Sequence, residues 1–152
     1  MGLIRILEKC KLICILVFSM YILIVLKLTI FRADVLYEER QINLTLFITL
    51  INIYRNSGIV EFIRLFFGNI IWFIPFGIIL PILIKRKNLF LTVAIGFMFS
   101  FTIETMQYVF YKGVAEPDDL ILNTLGVAIG YYIYQFKHHE KNRKKVFSCR
   151  QI

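Results

Sequence analysis

LFLTVAIGFMFSFTIETMQYVFY, residues 89–111, is an apolar run with one carboxylate inside it, Glu104. A helix rises 1.5 Å per residue, so about 20 apolar residues cover the ~30 Å hydrocarbon core of a bilayer. A carboxylate at that depth is expensive and marks a functional site by default. Gly96, Ser100, Glu104 and Gln107 follow one another at i, i+4, i+8 and i+11, which puts them on one helix face.

Three further runs flank this one. They are LICILVFSMYILIVLKLTIF (12–31), LFFGNIIWFIPFGIILPILI (65–84) and DLILNTLGVAIGYYIYQF (119–136). Together they predict an all-α membrane protein of four transmembrane helices in a bundle. The run at 12–31 is too long for a signal-peptide core, and no small-residue cleavage site follows it, so it is expected to remain as an anchor. Asn69, Glu104 with Gln107, and Asp119 with Asn123 each lie near one end of their run. Because the chain reverses direction at each connection, these ends fall on the same side of the membrane. Small residues continue the polar stripes: Asn69, Phe73 and Gly77 align in one run, and Asp119, Asn123, Gly126 and Gly130 in another. Gly77, Gly96, Gly126 and Gly130 are therefore expected at helix contacts, with Pro75 and Pro81 bending or locally freeing their helix.

Composition agrees. Of 152 residues, 59% are hydrophobic and 18% charged, and the mean hydropathy is +0.72. Soluble domains run at about 45–50% apolar and about 25% charged. The length suits one domain, 1–152, with a basic tail over 137–152. The net charge of +8 invites a nucleic-acid reading, which the distribution opposes. Basic residues gather at Arg5, Lys9 and Lys11, at Lys85-Arg86-Lys87, and in the tail. The first and third connections carry Asp34, Glu38, Glu39, Glu61, Glu116, Asp118 and Asp119 against fewer cations. The positive-inside rule then predicts cytoplasmic termini and an outer face that holds the polar ends. The partners expected on this basis are membrane lipid or a lipid-linked cell-wall component, and a homo-oligomer, but no nucleic acid.

The stretch INLTLFITLINIY (42–54) is too short to span and too apolar for a free loop, so it reads as an interfacial or re-entrant segment. Cys10, Cys14 and Cys149 lack metal spacing, and His138-His139 sits in a charged tail. No cofactor or metal is expected.

Three blocks carry a resemblance. Asn69-x-x-x-Phe73-x-Pro75-Phe76-Gly77, then Glu104-x-x-Gln107, then Asp119-x-x-x-Asn123-Thr124-x-Gly126 resemble the VanZ-like family of small bacterial membrane proteins. An earlier Asn43-Leu44-x-x-Phe47 is similar to a further family block, with Leu46 where that block has proline. The resemblance is strongest over 41–136 and implies low-level resistance to teicoplanin-type glycopeptide antibiotics.

Two main classes of function follow, beside a third, proton-coupled transport, that would use the same Glu104. In the first, Asn69, Glu104, Gln107, Asp119 and Asn123 form a polar cluster that binds a headgroup or organises the bundle at the outer leaflet. In the second, Glu104 and Asp119 are the acid/base pair of an intramembrane enzyme acting on a lipid-linked or cell-wall substrate. No nucleophile motif accompanies them, so an enzyme is the less expected of the two. Lys27, near the outer end of the first run, either snorkels to the surface or pairs with Glu104.

Overall fold

The computed structural model describes residues 2–29 and 38–149, with side chains described for 11–29 and 38–139. Arg32, Asp34 and the last two residues of the expected 12–31 run lie outside these, as do the side chains of Arg5, Lys9, Cys10 and Cys149. Five helices account for nearly all of the described chain: α1 (Gly2–Thr29), α2 (Ile48–Ser57), α3 (Ile59–Ile84), α4 (Leu89–Val109) and α5 (Pro117–Cys149). Two short strands, β1 (Gln41–Ile42) and β2 (Val114–Ala115), pair in parallel, Gln41 opposite Val114 and Ile42 opposite Ala115. Among the described residues, three helices are long and apolar enough to cross a membrane: α1 over Lys11–Thr29, α3 and α4. The expected fourth span, 119–136, is not among them, because asparagine, glutamine, glycine and tyrosine dilute the apolar part of α5.

Helix ends follow local chemistry. Asn88 caps α4, its side-chain oxygen accepting the N–H of Leu91 at 3.0 Å. Lys85, in the left-handed region at φ 53°, stops α3. Pro117 opens α5, where its missing N–H has no helical partner to lose, and Asp118 and Asp119 meet the positive end of the helix dipole. Pro75 and Pro81 both lie inside α3, which continues through them as a 26-residue helix.

The most extensive contact is between α3 and α5. A side chain on Gly126 would strike the carbonyl oxygen of Ile70, one on Gly130 that of Ile74, and one on Gly77 that of Val127. The two backbones therefore touch, as small residues permit where lipid supplies no hydrophobic drive between helices. Gly96 of α4 serves differently: a Cβ there would meet the Val127 side chain at 2.6 Å. Val127 is fully buried, within a core that includes Val25, Phe73, Phe76, Leu80 and Ile103. Phe76 stacks on Phe99 with centroids 5.2 Å apart. The α1 helix is mostly exposed and joins this core through Val25, Phe18 and Tyr21, whose hydroxyl donates to the Trp72 carbonyl at 2.5 Å.

The stretch 42–54 is neither one helix nor an unstructured loop. Its first residue closes β1, a turn follows, and its remainder opens α2. Leu50 of α2 packs with Ile70 and Leu122, while Ile48, Ile51 and Tyr54 face outward. This segment, the β1–β2 pair and the start of α5 gather at one end of the long helices.

Candidate functional site

At that end lies a cavity of about 940 Å³. Asn69, Glu104, Gln107, Asp119 and Asn123, the five polar residues singled out from the sequence, all line it. They arrive from three helices because each sits within a few turns of the same end of its helix. On the far side of Asn69 and Asn123 from the acidic turn, α3 and α5 are in glycine contact, which begins at the Ile70 carbonyl against Gly126.

Each of the five has a defined bond. The Asn69 amide donates to the Asp119 carboxylate and joins α3 to α5. The Asn123 amide donates to Ser100 Oγ at 2.9 Å and joins α5 to α4. Gln107 donates to the carbonyl of Thr29 at 3.2 Å and joins α4 to the end of α1. Glu104, 7% exposed, accepts the backbone N–H of Glu116 at 3.1 Å. The Oδ1 of Asn123 is buried without a hydrogen-bond partner, although a buried polar atom is ordinarily paired. Lys27 lines the same cavity but makes no ion pair with Glu104 and is exposed.

A second group of polar residues, not singled out as a site from the sequence, closes the cavity's rim. Glu116 accepts from the Thr49 hydroxyl at 2.5 Å and from the Asn43 amide at 3.3 Å. Asp118, 2% exposed, accepts the N–H of Phe47 at 2.7 Å, at the point where Phe47 takes a left-handed conformation (φ 58°) to start α2. The Asn43 N–H extends the short sheet by donating to the Ala115 carbonyl at 3.1 Å. Arg40 lies over the rings of Tyr108 and Tyr111 at 5.6 and 5.4 Å. The first and third connections are thus stitched together across the mouth. The Asn43-Leu44-x-x-Phe47 block was the available signal, since its asparagine and its phenylalanine backbone both bond to the acidic turn. Thr49, Trp72, Arg64 and Lys112 also face the cavity.

The arrangement brings three carboxylates, Glu104, Glu116 and Asp119, to one cavity with three cations, Lys27, Arg64 and Lys112. Its volume falls within the range of about 300–1,000 Å³ typical of small-ligand sites. Glu104 and Asp119, the pair considered for acid/base chemistry, both reach its surface.

Three helices of spanning length beside a polar cavity point to a membrane protein. The chain belongs to the VanZ/LLP1 family, whose model matches residues 15–138. It is similar to Protein VanZ of Enterococcus faecium, with 31% identity over 110 residues, which is 72% of this chain and 62% of that protein. The match therefore spans less than two thirds of that relative's length. No solved structure matches the chain.

Proposed function

We propose that this is a VanZ-like protein of the bacterial cell membrane that confers low-level resistance to teicoplanin-type glycopeptides by binding a polar group at the outer leaflet. The observation that carries the reading is the convergence of Asn69, Glu104, Gln107, Asp119 and Asn123 on one cavity. Four spans and cytoplasmic termini complete the proposal, with the apolar part of α5 crossing beside α3 and with α2 resting in the headgroup region. The charge distribution supports this orientation: Lys85-Arg86-Lys87 lie opposite the end that holds Glu116, Asp118 and Asp119. A polar cavity that opens to the outer leaflet suits an effect on lipid-linked targets of an antibiotic that itself carries an acyl chain.

The test is susceptibility. In a sensitive Gram-positive host, expression should raise resistance to teicoplanin more than to vancomycin, and Glu104→Gln should retain part of the effect, because Gln keeps the acceptor for the Glu116 N–H. Equal susceptibility with and without the protein would reject the proposal.

The presence of both Glu104 and Asp119 on the cavity surface favours one second reading, an intramembrane enzyme with these two as acid and base. Incubation of purified protein with isolated lipid separates the two: an enzyme changes the lipid, and a binder leaves it intact.

A further inference from the structure

The three cations of the cavity stand at its rim, beside one carboxylate, Glu116, which is engaged by Thr49 and Asn43, while Glu104 and Asp119 lie on the helices below. Lys27 is exposed, the Arg64 side chain is 73% exposed, and Lys112 is half-buried in the turn between α4 and β2. The innermost polar groups are acceptors. Glu104 and Asn123 are more than nine-tenths buried, and Asp119 lies one helical turn above Asn123. The amide groups of Asn69, Gln107 and Asn123 are each directed to a protein acceptor. Asn123 Oδ1 is buried and has no donor among the described residues. Among the described residues no ion pair joins a rim cation to a cavity carboxylate; Arg64 pairs only with exposed Glu61 at 3.6 Å, a contact of little energetic weight.

A cavity whose depth offers acceptors and whose rim carries three cations against the single, hydrogen-bonded Glu116 is complementary to a zwitterion of defined polarity. The positive, proton-donating end enters first and the anionic end stays outside. An ammonium offers N–H donors to carboxylates in a site shielded from water, where charge-assisted hydrogen bonds are strongest. A phosphate is matched by lysine and arginine at a surface. The remaining wall, with Trp72, Phe73 and Ile103, suits acyl chains or glycerol, and the cavity sits among helices of spanning length.

We propose that the cavity takes the headgroup of a zwitterionic aminophospholipid, with its ammonium at Glu104, Asp119 and Asn123 and its phosphate at Lys27, Arg64 and Lys112. This deepens the outer-leaflet binding reading and rests on it.

Trp72 lines the cavity and is the one tryptophan in the chain, so its emission reports occupancy directly. The full chain in detergent would be titrated with short-chain phosphatidylethanolamine, phosphatidylcholine and phosphatidylglycerol of equal acyl length. Phosphatidylethanolamine should shift Trp72 emission saturably and bind roughly tenfold tighter than either of the others, since choline lacks N–H donors and glycerol lacks the positive charge. Lys27→Met with Arg64→Gln, both at exposed positions, should weaken it by roughly tenfold again. Phosphatidylglycerol binding as well as phosphatidylethanolamine would overturn the ammonium assignment, and tighter binding of phosphatidylcholine would replace it with recognition by the Trp72 ring. Glycerophosphoethanolamine binding as tightly as the lipid would overturn the lipid assignment. No saturable change with any of them would overturn the proposal whole. The lipid titration needs no antibiotic, so a resistance phenotype without lipid selectivity refutes this inference alone, and lipid selectivity without a phenotype refutes the resistance reading alone.

Discussion

The α3–α5 pair behaves in two ways along its length. At Gly77, Gly126 and Gly130 the helices meet carbonyl on glycine, with no room for a methyl group. One turn from Gly126, at Asn123, and one turn from Phe73, at Asn69, the same helices line a cavity of about 940 Å³, joined there by the Asn69–Asp119 hydrogen bond beside the packed pair Ile70 and Leu122. The glycine end is held by shape, which tolerates no added atom. The polar end is held by a few directional bonds, which tolerate exchange for a ligand's own groups. A site that must bind and release belongs at the second kind of end.

The largest expected effect attacks the first end. Gly126→Val drives a side chain into the Ile70 carbonyl and toward Phe73. It should destabilise the fold by about 3 kcal/mol, since neither neighbour moves without displacing helix backbone. Thermal unfolding in detergent, with membrane yield, checks this. Unchanged stability would mean that the contact is not the hinge of the arrangement.

Asn69→Ala should have the next largest effect. It removes the amide that bonds Asp119 and leaves a carboxylate without that donor, at a cost of about 1–3 kcal/mol. The comparison predicts that protein still reaches the membrane while the resistance phenotype is lost. Loss of the protein itself would place Asn69 with the glycines, as part of the structural lock.

Smaller still is Thr49→Ala at the rim. It deletes one hydroxyl that donates to Glu116, while the Asn43 amide remains. The expected cost is about 1 kcal/mol, read as faster hydrogen exchange at the start of α2 with little change in global stability. Orientation is checked without changing stability at all. Glu116→Cys should react with a membrane-impermeant thiol reagent added outside, and Arg86→Cys should not. The reverse pattern would put the cavity on the cytoplasmic side.

The sequence made the glycine end and the inner wall of the cavity legible for the same reason. Both lie on helices, where spacing fixes which residues share a face, so Gly96, Ser100, Glu104 and Gln107 could be aligned by counting. The rim was not legible. Its bonds join Asn43, Phe47 and Thr49 to Glu116 and Asp118 across some 70 positions, and nothing local encodes such a pairing. The β1–β2 pair is two residues long, too short for any alternation to show. The helix α3 begins at Ile59, six residues before its apolar run. Residues 59–64 contain Glu61 and Arg64, which lower the apolar signal yet sit comfortably on an exposed helix face as an i, i+3 pair. Conversely, polar residues within 119–136 leave that run less apolar than α1, α3 and α4.

The central claim is that the polar end acts and does not merely hold. It is tested most directly by measuring teicoplanin susceptibility beside membrane protein level for Glu104→Ala. Removing the carboxylate deletes one acceptor of the cavity and one bond to the Glu116 backbone, and leaves the glycine contacts of α3 and α5 intact. The account predicts normal protein level with loss of the phenotype. A normal phenotype at normal level, or loss of both together, would contradict it.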